Sequence, residues 1–424
     1  MSKHIYQTTA VKAVSWERVG EQTGPEQRVV LGVDVAKEVF VGALMKVDRT
    51  VIVTLKWSHP QETRELVKQL ITVVGVERLE VVLEPSGTYG DALRGCLQGA
   101  GVAIFRMSPK RTHDAQELYD GVPSLHDAKA AYLLGRLHLD GASQRWREPA
   151  PQRRELSAAV AELELHRGSY QRHLNRLEAQ LSRHWPEVLG LLGVDSVTLL
   201  NVLIAYGSPQ AVASQTEAAG ALMRRSGRCG LTEAKVVQVL ASAATTVGVP
   251  CLEQERRYLS ALAGEAMHSY RGLQQTRHAL EQRVEADPQL APMAALVGRV
   301  TSAVLIASLG SPLAFPSAAS YLKGLGLNLK EHSSGQHQGR LTITKRGPAR
   351  ARQYLYLAVL RWLQREPLIG AWYQAKLQRD GARLKGKALV ALMRKLAKAL
   401  WHVARGQAFD AEKLIDRQAL TGTH

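Results

Sequence analysis

Three features are scarce in this chain: cysteine, long apolar runs and acidic residues. Its three cysteines, Cys96, Cys229 and Cys251, are too few and too scattered for a disulfide framework or a zinc site. Each is expected to serve as a small buried hydrophobe. No uninterrupted apolar stretch reaches the ~18 residues of a membrane span, and the N-terminus lacks the hydrophobic centre of a signal peptide. The expected location is therefore the cytoplasm, in association with the nucleoid.

The shortage of acids carries more meaning. Asp plus Glu number 38 against 55 Lys plus Arg, a formal net charge of +17. The imbalance is concentrated: residues 340–405 hold sixteen Lys and Arg against two acids, Glu366 and Asp380. Such a field attracts polyanions, and its strength falls steeply with salt. A solvated face of amphipathic helices has the same composition, so charge alone does not identify a substrate.

A length of 424 residues allows two to three domains with full-sized cores. Residues 1–27 are polar and aperiodic and are expected to form a flexible tail. From 28 to 150 strands alternate with helices: strands over 29–33, 39–44, 51–55, 79–83 and 102–107, helices over 62–73, 89–98 and 127–139. A mixed sheet with flanking helices is the expected α/β arrangement. Residues 151–290 turn helical. Leu156, Val160, Leu163, Tyr170, Leu174, Leu177 and Leu181 follow heptad-like spacing, interrupted by Arg167, and Leu259, Leu262, Ala266, Leu273 and Leu280 repeat it. These predict two long helices, forming either an antiparallel hairpin or an intermolecular coiled coil. A third, mainly helical unit is expected over 291–410, followed by a tail over 411–424. Its Trp362, Trp372, Tyr373 and Trp401 fall at helical spacing, which favours core positions over base stacking.

Chemistry-bearing residues gather in two distant places. Asp34 ends the apolar strand VVLGVD and Glu84 ends LEVVLE. Two or three carboxylates at one sheet edge suit a divalent cation while leaving room for phosphate oxygens. A lone acid at a strand end more often caps a strand or helix. Far downstream, GLNLKEHSSGQHQGRLTITKRG (326–347) sets Ser333 and Ser334 among basic residues. A serine hydroxyl is a poor nucleophile unless its proton is removed or its target is polarised. Arg340, Lys345 and Arg346 are placed to balance charge on phosphate oxygens, and His332 is a candidate proton acceptor.

The phrases GVDVAKEVFVGAL, EPSGTYGDALRGCLQGAGVAIFRMSP and HDAKAAYLLGRL resemble, in that order, the RuvC-like half of the insertion-sequence-110 family of DEDD-type transposases. GLGLNLKEHSSGQHQGRLTITKRGPARARQYLYLAVL is similar to the second segment of the same family. The resemblance covers about 28–141 and 292–365. It implies an RNase H-like (RuvC-like) N-terminal domain, an α-helical coiled-coil middle and a mainly α C-terminal transposase domain that bears the serine.

The resemblance also implies a chemistry. Asp34, Glu84 and Asp127 take the first, second and last family acids and would hold Mg²⁺. Ser334, directly before Gly335, takes the nucleophile position, with Ser333 as the alternative. The family cuts and rejoins DNA, guided by a structured non-coding RNA, in a dimer or tetramer whose composite site draws acids and serine from different protomers. Three departures stand out. Ser124 occupies the place of one acid, leaving Asp120 as the candidate fourth ligand. Asn328 stands where proline is usual, and LVGRVTSAVLIASLG keeps only Gly298 of a glycine pair. Two rival readings remain: a metal-dependent junction nuclease with an idle serine, and a non-catalytic nucleic-acid-binding scaffold.

Overall fold

The computed structural model describes residues 6–24, 26–85, 87–227, 230–288, 290–331 and 341–415. The chain forms two compact units, Met1–Glu148 and Pro149–His424. The first is built on a seven-stranded sheet: β1 (Thr8–Ala10), β2 (Val29–Asp34), β3 (Val39–Lys46), β4 (Val51–Ser58), β5 (Leu79–Leu83), β6 (Ala103–Arg106) and β7 (Gln144–Arg145). Their order in space is β1-β4-β3-β2-β5-β6-β7. β2, β3 and β4 make the expected antiparallel meander, while β5 and β6 extend it in parallel from β2. Parallel neighbours need crossovers; α2 (Thr63–Val74) joins β4 to β5 and α3 (Asp91–Gly99) joins β5 to β6.

Side-chain alternation explains the layers. Val29, Leu31 and Val33 of β2 share a core with Leu66 and Leu70 of α2, Leu93 and Leu97 of α3, and Val19 of α1 (Trp16–Thr23). Val30 belongs to the core on the opposite side, with Ala131, Leu134 and Leu137 of α5 (Asp127–Leu139). α4 (Pro109–Asp114) lies next to α5. Covered on both faces, β2 is a nearly continuous apolar run rather than an alternating one.

The segment expected to be a loose tail is largely ordered. Thr8 to Ala10 pair in parallel with Thr54 to Lys56 of β4, and α1 buries Val19 and Thr23. The strand is three residues long, too short to display a period, and it closes an edge of β4 that would otherwise carry unpaired backbone groups.

The second unit begins with the predicted long helices, α6 (Pro151–His184) and α12 (Glu253–Ala286). Arg283 reaches Glu155 at one end of the pair and Arg183 reaches Glu255 at 3.0 Å at the other. The two helices therefore run antiparallel within one chain. Between them, α7 (Val188–Leu191), α8 (Val197–Tyr206), α9 (Pro209–Ser214), α10 (Thr216–Gly227) and α11 (Glu233–Ala244) close a core around Trp185, Leu199, Met223 and Val239.

Beyond α12, α13 (Ala291–Val297) and α14 (Arg299–Leu309) meet at a 118° bend. Gly298 forms that bend with φ of 87°, a conformation that favours glycine. α15 (Ala318–Gly324), α16 (Ala349–Arg365), α17 (Pro367–Asp380) and α18 (Lys385–Val403) complete the bundle. Trp362 and Trp372 are buried in its core, as their spacing predicts. The boundary expected at residue 291 crosses a continuous core, because Val304 of α14 packs with Leu163 of α6 and Leu280 of α12. In the expected C-terminal tail, α19 (Ala411–Leu414) is followed by Ile415, which is buried in that bundle. Cys96 and Cys251 are half-buried free thiols; Cys229 lies outside the described residues. Among the described residues no single helix is long and apolar enough to cross a membrane.

Candidate active site

Three of the expected acids come together through the register of the sheet. β2 and β5 are parallel neighbours with Val33 opposite Leu83. The next residue of each, Asp34 and Glu84, therefore leaves the sheet at the same edge. Asp127 reaches that edge from the other side, as the first residue of α5.

Two glycines let α5 lie this close. A Cβ on Gly32 would collide with the backbone oxygen of Ala131 and stand 2.6 Å from the nitrogen of Gly135, and one on Gly135 would stand 2.6 Å from Met45 Cε. The helix start is fixed by His126, whose Nδ1 accepts a hydrogen bond from the Lys129 N–H at 3.3 Å. An acid in the first turn is favoured by the helix dipole.

The charges feel one another. The Asp34 carboxyl is pushed up to about 6, first by burial, then by the negative charges of Asp127 and Glu84; only the Val35 backbone N–H opposes this. Among the described residues no cation offsets that repulsion on Asp34. Like charges in one site disfavour ionisation of a member, and a divalent cation relieves that repulsion. Among the described residues no group of three or more His, Cys, Asp or Glu side chains is closed around one point that an ion would fill. The donor chemistry nevertheless fits: hard carboxylate oxygens from three residues, with the repulsion on Asp34 unrelieved, suit Mg²⁺ or a similar ion.

Asp120, the candidate fourth ligand, is committed to other partners. Its Oδ1 accepts hydrogen bonds from Lys129 Nζ at 2.9 Å and from the Val122 backbone N–H at 3.0 Å, and Oδ2 accepts one from the Tyr6 hydroxyl at 3.1 Å. The Lys129 hydrogen bond, above all, holds the carboxyl below its ordinary range. Lys129 is only 2% exposed and also donates to the Val122 carbonyl at 2.6 Å. A buried ammonium needs an anion, and Asp120 supplies it. The pair fastens the loop before α5 to the first turn of that helix. Ser124 sits exposed in the same loop.

Ser334, its alternative Ser333, and the flanking His332 and Arg340 lie outside the described residues. The base of their loop is defined. β8 (Leu329–Lys330) pairs antiparallel with β9 (Thr342–Ile343), and the serine segment lies between these strands in the sequence. Asn328, at the departure from the family pattern, closes the hairpin: its carbonyl accepts from Thr344 N at 2.9 Å and its Oδ1 from the Thr344 hydroxyl at 2.6 Å.

Below that rung the chain crosses itself. Gly326 has φ of 70°, and a Cβ on it would lie 2.8 Å from Arg346 N. Lys345, itself at φ of 56°, donates its N–H to the Gly326 carbonyl at 2.9 Å. Arg352 clasps the crossing by donating to the carbonyls of Leu325 and Gly347 at 3.2 and 2.7 Å. The side chains of Lys345 and Arg346 are left exposed.

Sequence reasoning missed Tyr6 and Lys129. Tyr6 sat in a segment with no pattern. Lys129 carried a signal, a lone cation inside the apolar run DAKAAYLL, where a long charged side chain stays buried only with a partner.

The family described as "Transposase IS116/IS110/IS902 family" matches residues 296–374, and a DEDD-type IS110 family described as "Transposase" matches residues 31–186. Together they take in just over half of the 424 residues and both segments that carry the expected chemistry. No curated protein matches this chain. The match over 31–186 contains the acidic edge formed by β2, β5 and α5, and the match over 296–374 spans the serine hairpin, so the chain belongs to the IS110 family of transposases, whose substrate is DNA.

Proposed function

We propose that this transposase cuts and rejoins DNA through a covalent link to Ser334, assisted by Mg²⁺ held by Asp34, Glu84 and Asp127. A structured non-coding RNA guides it to donor and target, and it acts as a homo-oligomer. The observation that carries the reading is the acidic edge itself: three carboxylates from β2, β5 and α5, with the Asp34 carboxyl raised by burial and by repulsion from the other two. Asp120 belongs to the loop through Lys129 and not to the cation. When bound, the cation polarises the scissile phosphate.

The remaining steps fall to the chain's own residues. The Ser334 oxygen forms a bond to phosphorus while one phosphorus–deoxyribose oxygen bond breaks. The serine proton passes to His332, the candidate acceptor two residues before it, and the departing sugar oxygen takes one from water. The phosphoserine ester conserves the bond for rejoining, which runs the same step in reverse. Lys345 and Arg346, exposed at the hairpin base, and Arg340 balance charge on the phosphate oxygens.

Denaturing electrophoresis of labelled element-end DNA, incubated with Mg²⁺ and the element's RNA, tests this. Wild type should give cut DNA joined to protein. Ser334→Ala should lose both cleavage and adduct, and Ser333→Ala should keep at least part of both. Nicking by Ser334→Ala at the wild-type rate, with no adduct from either protein, would refute the serine step. That outcome would favour a nuclease that activates water at the same acids. Absence of both products from the wild type would leave the scaffold reading.

A further inference from the structure

The helical bundle between α6 and α12 has no part in the chemistry above and lies between the two family segments. It contains a cavity of about 510 Å³, within the range of small-molecule sites. Its lining is selective. Ser196 and Thr198, the cap and first turn of α8, form one side. Ser226 of α10, Lys235 of α11, and Tyr270 and Arg271 of α12 form others, and among the described residues no acid lines it.

Ser226 already accepts from Asn201 Nδ2 at 3.2 Å, but the two cations and Thr198 have spare capacity. Lys235 and Arg271 make no side-chain ion pair or hydrogen bond among the described residues, although many other surface cations of this unit do, such as Arg224 with Glu233 and Arg256 with Glu253. Thr198 is 5% exposed, and its hydroxyl makes no hydrogen bond among the described residues. Its place in the lining leaves that hydroxyl open to the cavity, where a ligand oxygen could accept from it. The Ser196 hydroxyl accepts from Leu199 N only at 3.5 Å. A helix N-terminus, two cations unpaired among the described residues and the Thr198 hydroxyl around one recess make a site for a phosphate group.

We propose that this cavity binds a phosphate-bearing nucleotide of single-stranded nucleic acid. A duplex presents its phosphates on a stiff convex surface, whereas a single strand turns one nucleotide into a recess. There the base lies against an aromatic ring and the phosphate against cations. Tyr270 supplies the ring on the same helix as Arg271. This grip is separate from the acidic edge, so it is tested without divalent metal and without cleavage.

The experiment is fluorescence anisotropy of full-length protein in EDTA with a short labelled oligothymidylate. The variants are Lys235→Gln/Arg271→Gln and, as a control, Arg64→Gln/Lys68→Gln on the exposed face of α2. The first pair should weaken single-strand binding by roughly tenfold and lower the salt slope by about 1.4, at ~0.7 for each phosphate no longer neutralised. Duplex binding should be unchanged. Thr198→Val, which alters no charge, should weaken single-strand binding by a few fold. Melting temperatures of the charge variants guard against misfolding, since both side chains are exposed. Unchanged oligothymidylate affinity in Lys235→Gln/Arg271→Gln overturns the proposal. An equal loss in the α2 control overturns it too, because the effect would then belong to the general field. Thermal stabilisation by thymidine monophosphate in wild type and not in the variant, with oligothymidylate affinity unchanged, would assign the cavity to a free nucleotide instead.

Discussion

Asp34→Asn should make the protein more stable while removing its cleavage activity. The carboxyl, normally near 3.8, is raised to about 6 in the fold. Between those two values the folded chain holds a proton that the unfolded chain has lost, so stability falls as pH rises through this window and stays low above it. A shift of that size corresponds to about 3 kcal/mol. Asp34 is partly exposed, and solvent screening reduces the usable figure to about 1–2 kcal/mol.

Asparagine keeps the shape and can still accept from the Val35 N–H, but it carries no charge to repel Asp127 and Glu84. At pH 7.5 in EDTA the variant should melt roughly 2–6 °C above wild type. The gain should shrink to about a third at pH 4.5, where folded wild type is itself largely protonated at this carboxyl. Mg²⁺ should raise the wild-type melting temperature and leave the variant's nearly fixed. Calorimetry at the two pH values, with and without Mg²⁺, reads all of this. A variant less stable than wild type at pH 7.5, or a difference that ignores pH, would refute the claim that these acids repel one another.

Gly32→Ala forces a methyl group against the backbone of α5 and should cost about 2–4 kcal/mol in denaturant unfolding, with cleavage falling alongside as Asp127 is displaced. Asp120→Asn leaves Lys129 buried without its anion and should cost about 3–5 kcal/mol, whereas Asp120→Asn with Lys129→Met should recover much of that; a double variant no better than the single would break the pairing argument. Nucleic-acid affinity should fall by orders of magnitude between ~50 and ~200 mM salt, and Lys345→Gln/Arg346→Gln should lower both affinity and slope in a filter-binding titration.

The sheet was legible wherever strands were long and covered on both faces: the apolar runs at 29–33, 39–44 and 79–83 leave little choice of element. Placement of Asp34 and Glu84 at strand ends was equally plain, because each closes such a run. Three things were hidden. β1 is too short for periodicity, so its pairing with β4 depends on an edge that exists only in three dimensions. Asp120 looked like a spare ligand because sequence shows proximity to Asp127, not the buried ammonium nine residues later that claims it. The heptad spacing of α6 and α12 fixed the apolar stripe but not its occupant; the ion pairs at both ends show that each helix packs on the other.

The bundle between α6 and α12 leaves and rejoins the long pair through one narrow doorway. Val249 N donates to the Arg183 carbonyl at 2.9 Å, His184 Nδ1 lies 2.8 Å from the Val249 carbonyl, and Gly248 is pressed against the His184 backbone so closely that a Cβ would not fit. The outgoing and returning strands of chain are thus pinned within a few ångströms, much as the two ends of a surface loop are. What hangs from that point also packs onto the long pair: Leu199 and Leu203 of α8 share one core with Leu177 and Leu181 of α6 and with Leu259, Leu262 and Ala266 of α12. An insertion held in this way behaves as a cassette with a fixed socket: a graft at residues 185–247 that keeps the apolar side chains facing α6 and α12 should alter what the molecule grips and leave how it cuts untouched.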